Sequence, residues 1–384
     1  MKIVIVCYSY SDNFAYMEQK LAVAFSELGH ETTIICSTAN RIDSKTIVKV
    51  KPQKYRSHNY NVVRLPFIIG GHVPDHKLPI ILKGVYKELC KIKPDIIYHM
   101  SISAINLLSV KKYVKRNKCR LFVDNHASSF NSANNFLSLF FLHKVLYKSI
   151  LKSTSKYISN YFYVGKAEKI FMKEIYKINE NKLTFFSLGD FIVDNNQYFK
   201  TRNKLRNDLN ICSSDFVITI SGKLTSEKRT IDILKMFYEL SLQFKGIKFI
   251  LVGDIQDESI RNEFNDLQKL LSISLINVGW KSSNELKDLL CASDLYIQYA
   301  PSSTFQTSLC CRCFAITCDP FGVYKEYQNP PFIVTDTIDH MKVKIIELIN
   351  QPNYFLKKRE QSFNFAKEYL DYKEQVRRLI FGKR

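Results

Sequence analysis

The chain holds 384 residues, 46% of them hydrophobic, with 56 Lys and Arg against 36 Asp and Glu and a net charge of +20. That length exceeds what one hydrophobic core usually fills, so two domains are expected and burial is not scarce. No run of about eighteen apolar residues suggests a transmembrane helix. The N-terminal KIVIVCY soon meets Ser9, Ser11 and Asp12 without a small-residue cleavage site, which argues against a signal peptide and for a cytoplasmic protein.

In chain order, short β-rich runs alternate with helical ones. KIVIVCYS opens the first half, followed by a helix around EQKLAVAFSELGH and the strands ETTIICS, NVVRLPF, DIIYHMS, RLFVDNH, YFYVG and LTFFSLG. FVITISG opens the second half, followed by KFILVGD, ISLINVG, LYIQYA, CFAITCD and PFIVT with helical patterns between them. Strands apolar on both faces belong in parallel sheets covered by helices, which predicts an α/β protein of two doubly wound sheets. Residues 190 to 212 are polar and carry no strong period until Phe216, so the linker is placed there. The expected domains are 1–195 and 196–353, with 354–384 a helix free to pack back across the junction. Ligands of such sheets lie beyond the carboxyl ends of the strands, so a site between the two domains is expected.

Charge is unevenly spread: residues 1–190 hold 29 Lys and Arg against 13 Asp and Glu. The densest basic run, KKYVKRNKCR, follows the apolar turns of SAINLLSV and reads as a helix end with Lys111, Lys112, Lys115 and Arg116 on a cationic face. Such a face is either simply solvated or attracted to anionic headgroups or a phosphate-bearing acceptor. Nucleic acid is not expected, because helix-turn-helix, zinc-finger and RNA-binding signatures are absent.

SLCCRCFAITC, Ser308 to Cys318, packs four cysteines into one stretch. A reducing compartment keeps thiols free, and the ten cysteines form no framework. Zinc would ask for paired ligands some fifteen residues apart, whereas Cys310, Cys311 and Cys313 are nearly contiguous. No metal is expected, and cysteine reads here as a small apolar core residue. GKLTSEK, Gly222 to Lys228, leaves the strand FVITIS and leads into a helix. Its glycine permits close backbone approach, and Lys223 and Lys228 flank a turn where a diphosphate could be clamped near a helix N-terminus.

With these segments in order, the chain resembles the family 4 glycosyltransferases nearly end to end. AYMEQKLAVAFSELGHETTIICS is similar to the family's first loop, helix and second strand, PDIIYHMS to its PDIIH strand, and RLFVDNH to its acceptor-side strand ending in histidine. YFYVGKAEKIFMKEIYKINENKLTFFSLGDF resembles the segment that ends the first domain. ITISGKLTSEKRTIDIL, KFILVGD, NVGWKSSNELKDLLCASDLYIQYAPSS and GVYKEY fall in family order and spacing.

The resemblance implies the GT-B fold of two facing Rossmann-like domains. It implies sugar transfer from a nucleotide-diphosphate donor with retention at the anomeric carbon, usually without a metal and with no cofactor beyond the donor. The donor would sit in the second domain and the acceptor in the first. Lys223 and Lys228, beside Gly222, match the family's basic pair on the diphosphate, neutralising the leaving group. His126 matches the histidine near the transferring sugar, with Asp124 on the same strand, and Glu18 matches an acidic residue opening the first helix.

Two features depart from the family. Its glycine pair before the first helix is Phe14-Ala15 here, and its two donor-site glutamates are missing: no carboxylate lies between Pro301 and Asp319. Their positions fall near Ser303 or Thr304 and on Thr307, with Ser308 following, so the cysteines stand in a donor-site helix without its acidic residues. Glu326 in GVYKEY is a candidate replacement. The expected function is a retaining transferase acting on a lipid-linked or surface-polysaccharide acceptor at the cytoplasmic face of an anionic membrane. The alternative is a catalytically silent GT-B protein that scaffolds a partner transferase or the membrane.

Overall fold

A computed structural model describes residues 1–12, 16–42, 46–66, 81–129, 131–133, 135–320, 322–327 and 329–382. The Phe14-Ala15 pair lies outside the described residues. The chain divides into two compact units, Met1–Ser187 with Gln375–Arg384, and Leu188–Glu374.

In the first unit the order is β1 (Lys2–Val6), α1 (Met17–Glu27), β2 (Glu31–Ser37), β3 (Ala39–Arg41), β4 (Ile47–Lys49), β5 (Gln53–Ser57), β6 (Tyr60–Leu65), α2 (Val85–Ile92), β7 (Ile96–His99), α3 (Leu107–Val114) and β8 (Arg120–Asn125). A wider i→i+5 helical segment, Ser138–Tyr147, then runs into α4 (Lys148–Thr154), β9 (Ile158–Tyr163), α5 (Lys166–Glu174) and β10 (Leu183–Phe185). The sheet order is β10-β9-β8-β7-β1-β2-β6-β5, and every pairing is parallel except β5 on β6. β1 is central because KIVIV is apolar on both faces: Ile3, Val4, Ile5 and Val6 are all buried. α1 buries Leu21, Ala22, Ala24 and Phe25 against the sheet and stops at Gly29, whose positive φ closes the last turn. The short antiparallel strands β3 to β5 were not legible as a period, being polar and brief.

The second unit begins with α6 (Asn195–Asp208) and continues β11 (Phe216–Ser221), α7 (Thr230–Gln243), β12 (Ile247–Val252), α8 (Arg261–Leu270), β13 (Leu275–Gly279), α9 (Ser283–Ala292), β14 (Leu295–Gln298), α10 (Thr304–Cys310), β15 (Phe314–Cys318), β16 (Ile333–Thr335), α11 (Ile338–Asn350), α12 (Pro352–Phe365) and α13 (Tyr372–Phe381). Its sheet is wholly parallel in the order β13-β12-β11-β14-β15-β16. The chain rejoins the first unit within α13, where Arg120 donates to the carbonyls of Leu379 and Ile380. Among the described residues no helix is long and apolar enough to cross a membrane.

α6 occupies the segment expected to be a linker. Its inner face buries Tyr198 and Arg206 with Arg202 between them, two cations to one aromatic, so hydrophobic periodicity could not reveal it. Arg202 and Arg206 donate to the terminal carbonyls of α9 at Cys291, Ala292 and Ser293, and both pair with buried Asp294, at 2.6 and 2.7 Å. Arg359 of α12 stands 3.8 Å from the same carboxylate. The four clustered cysteines are free, buried and part of the core around Phe305, Phe314 and Tyr324. Burial pushes the Cys313 thiol up against the opposing charge of Arg359, so it behaves as an apolar group.

Candidate functional site

In the second unit the strand order reverses between β11 and β14, and a polar cluster sits beyond their carboxyl ends, where open α/β sheets hold ligands. Gly222 leaves β11 with φ +116°, and its backbone lies so close to Gly253 that a Cβ on Gly253 would stand 1.9 Å from the Gly222 carbonyl oxygen. The glycine pair lets two strand ends and the loops after them run side by side, with Leu224 and Asp254 sharing backbone bonds. Thr225 and Thr230 close the β11–α7 loop: the Thr230 hydroxyl donates to the Thr225 carbonyl at 2.9 Å. The Thr225 hydroxyl in turn accepts from the Lys228 backbone at 3.3 Å. Asp257 accepts from Ser226, and its hydrogen bonds to Ser226 and Ser259 hold its carboxyl well below the usual range.

Lys223 and Lys228 line a small cavity here with Ser221, Thr230, Gln298 and Ser302, at the N-terminus of α7. Neither ammonium has a carboxylate partner among the described residues. Burial, and then the charge of Lys223, pull the Lys228 pKa below its ordinary value. An unpaired, half-buried cation beside a second one at a helix N-terminus is a site built for an anion. Gln298 supports its floor: buried, it donates to the Tyr324 hydroxyl at 2.8 Å and accepts from Ser302 at 2.7 Å.

α10 follows β14, with Ser303 exposed just before it and Thr304 partly exposed at its start. Thr307 and Ser308, expected to meet a donor, instead turn inward. The Thr307 hydroxyl donates to Asp190 at 2.9 Å, and Ser308 is fully buried with its hydroxyl on the Phe305 carbonyl at 2.7 Å. The carboxylate that α10 lacks in sequence is supplied beside it by buried Asp190, which also accepts from Lys287 at 3.0 Å. Glu326 ends a helical turn, Val323–Glu326, whose first two amides are held by Asp319.

In the first unit the order reverses between β1 and β7, and a second cluster forms at the ends of β7 and β8 and on α1. Asp124, fully buried at the end of β8, accepts from the Ser101 backbone at 2.7 Å and from His126 at 3.3 Å. Burial alone would hold the His126 imidazole below its ordinary value, but the Asp124 carboxylate outweighs it and the pKa is raised. Glu18 in the first turn of α1 is buried, and desolvation lifts it to about 7 even though the charge of His126 pulls the other way. Glu168 at the start of α5 is raised by the same cause. His99 at the end of β7 is buried, with Nδ1 on the Ser101 carbonyl at 3.0 Å, Nε2 without a partner, and a pKa pulled down to about 4 by burial.

The structure therefore gathers Glu18, Asp124 and His126 in one place, and Gly222, Lys223 and Lys228 in another. The basic run straddles the end of α3, with Lys111 and Lys112 in its last turn and Lys115 and Arg116 just after it: Lys112 sits over the Tyr86 ring at 4.5 Å and Arg116 donates to the Tyr86 hydroxyl. Sequence reasoning missed His99, Glu168, Asp190, Gly253 and Gln298. His99, Gly253 and Gln298 lie at the carboxyl ends of strands legible in the sequence, which was a usable signal; Asp190 and Glu168 had none, because only the fold brings them to the clusters. Among the described residues no group of three or more His, Cys, Asp or Glu is placed to hold a metal ion.

Two parallel-sheet, Rossmann-like units in one chain, each with a polar cluster at its strand ends, are the GT-B architecture, and this chain has that fold. Solved structures similar over nearly their whole length are glycosyltransferases. They include a sucrose-phosphate synthase from Thermosynechococcus elongatus (TM-score 0.65, 10% identity, 99% of this chain and 98% of that one). A glycosyltransferase from Rickettsia africae is also similar (0.64, 15%, 99% and 96%). So is Anabaena HepE in complex with UDP and glucose (0.64, 12%, 99% and 98%). No protein-family model and no curated protein sequence matches the chain.

Proposed function

We propose that the chain is a glycosyltransferase that takes a sugar from a nucleotide-diphosphate donor, with retention, to a lipid-linked or surface-polysaccharide acceptor on the cytoplasmic side of a membrane. The observation that carries the reading is the unpaired Lys223–Lys228 couple at the switch point of the second sheet, in a fold shared with a protein solved with UDP and glucose. In this reading both ammonium groups hold the diphosphate and disperse the charge that builds on it as the sugar leaves. Gly222 lets the phosphates approach the backbone, Ser303 and Thr304 meet the sugar end, and Glu326 meets donor hydroxyls. Thr307 and Ser308 hold α10 in place through Asp190 and the helix backbone.

Glu18, Asp124 and His126 form the acceptor side. With its pKa lifted to about 7, Glu18 exchanges its proton near neutral pH, the property asked of a group that receives a hydroxyl proton. Asp124 raises the His126 pKa and so favours the protonated imidazole, whose N–H can donate to an oxygen of the reacting sugar. The test is a thermal-shift screen of nucleotide-diphosphate sugars followed by assay of released nucleoside diphosphate. One donor that both stabilises the protein and is turned over supports the reading. Binding without turnover under every acceptor tried favours the scaffold, for which the carboxylate-free α10 speaks. No stabilisation by any member removes the transferase and leaves the scaffold.

A further inference from the structure

Residues 125–167 contain five lysines and no carboxylate, and they include a cluster of exposed aromatic side chains. Phe136 is 72% exposed, Leu137 66%, Phe141 55% and Phe140 43%. Phe136 and Phe140 stack at 5.7 Å between centroids, and Phe141 meets Phe140 edge-on at 5.3 Å, so three rings are assembled with solvent beside them.

The segment that carries them is firmly seated. His143 and Tyr147 are buried on its inner side, His143 bonds the Tyr176 hydroxyl at 2.7 Å, and that hydroxyl bonds Ser103 at 2.7 Å. Leu139, Leu142 and Leu146 pack on the core. A fixed helix thus presents an apolar face that its own fold does not cover, which marks an interaction surface. Beyond the rings, Lys144, Lys148, Lys152 and Lys156 follow at intervals of four, and none is paired with a carboxylate among the described residues. α3, with Lys111 and Lys112 in its last turn, Lys115 and Arg116 just after it and exposed Leu108, packs against α4 on the same core.

We propose that this face docks the protein on an anionic lipid bilayer, with Phe136, Leu137, Phe140 and Phe141 inserted at the acyl boundary and the lysines of the helix against the headgroups. Apolar side chains beside an uninterrupted cationic stretch are the pattern of an interfacial helix. The charge selects the occupant: a lipid surface supplies the missing negative charge and imposes no shape on the rings. The inference stands on this surface alone and does not depend on the transfer chemistry proposed above.

The test uses the full chain with phosphatidylcholine vesicles, with and without phosphatidylglycerol. Sedimentation should require phosphatidylglycerol and weaken as salt rises. F136S/L137S/F140S/F141S should lose binding by more than tenfold at every salt concentration. K144Q/K148Q/K152Q should lose roughly fivefold per lysine at low salt and little at high salt. Unchanged melting and circular dichroism in both variants exclude misfolding. If the serine variant does misfold, a single fluorescent indole, placed by Phe141→Trp in a chain that also carries Trp280→Phe, should be quenched by brominated acyl chains. Wild-type sedimentation without phosphatidylglycerol, vesicle binding unaffected by the serine substitutions, or an indole at position 141 that stays unquenched would each overturn the proposal. So would failure to bind any vesicle while the wild type forms a dimer that the serine variant abolishes, which would make the face a contact between copies.

Discussion

Replacing Lys228 by methionine keeps the buried stem and removes only the charge. In the unliganded protein that charge has no carboxylate partner, is half-buried and faces Lys223, so its removal should leave stability unchanged or raise it. In the proposed clamp the same ammonium would make a charge-assisted contact to a bound nucleoside diphosphate worth about 1.5–3 kcal/mol, so the variant should bind some 10- to 150-fold more weakly. At ligand 1,000-fold above the wild-type Kd, binding adds about 4 kcal/mol to wild-type stability, and the variant should forfeit about 1.5–3 kcal/mol of that. The pH dependence has a defined sign. Because the folded-state pKa lies below 10.5, the unfolded chain holds this proton more tightly, and unliganded stability gains from Lys228 as pH rises through the window beneath 10.5. The methionine variant lacks that gain. Titration calorimetry with parallel urea melts decides: an unchanged Kd, or lost unliganded stability with affinity intact, would make Lys228 a structural residue and refute the clamp.

Glu18→Gln should stabilise the protein at pH 8 by up to about 3 kcal/mol, because burial raises the native carboxyl from 4.5 to about 7. The advantage should shrink as pH falls through that interval and vanish below about 4.5, and urea melts showing no gain at pH 8 would contradict it. His126→Asn should lower turnover about 100-fold while donor Kd moves less than about twofold, read from steady-state kinetics against direct titration; equal losses in both would place the imidazole on the donor. Gly253→Ala puts a Cβ 1.9 Å from the Gly222 oxygen at a φ of +141°, so thermal melts should show a loss of at least about 3 kcal/mol. Asp294→Asn should cost about 3–5 kcal/mol by leaving Arg202 and Arg206 buried without their counter-charge, and a loss below about 1 kcal/mol in urea would deny that pairing.

Much of the architecture was legible because the strands of a doubly wound sheet are continuous apolar runs: FVITIS, KFILV and LYIQ can be read directly. α6 was not, since Arg202 and Arg206 perform by ion pairing what a hydrophobic stripe performs elsewhere. GKLTSEK marked the β11–α7 loop through its glycine and two lysines, but nothing local announced that Gly253 would lie against Gly222. Thr307 and Ser308 were placed on the correct helix with the wrong faces outward, because a seven-residue helix without charged residues has no polar side to orient it. The Asp190 carboxylate escaped notice because the partner it meets is 117 residues away.

Asp190 also sets how the second unit is attached. Its amide donates to the Leu370 carbonyl and its carbonyl accepts from the Tyr372 amide, so Asp190 and Asp371 pair as a parallel bridge. The strand arriving at the second unit and the strand departing from it are therefore neighbours. In topological terms Leu188–Glu374 is an insert whose two ends meet, placed within a first unit that resumes at Gln375. A module with adjoining ends can be lifted out, permuted or replaced with little disturbance to its host. The second unit of such a chain is thus open to exchange as one piece, and a gene segment spanning 188–374 is the natural piece to graft.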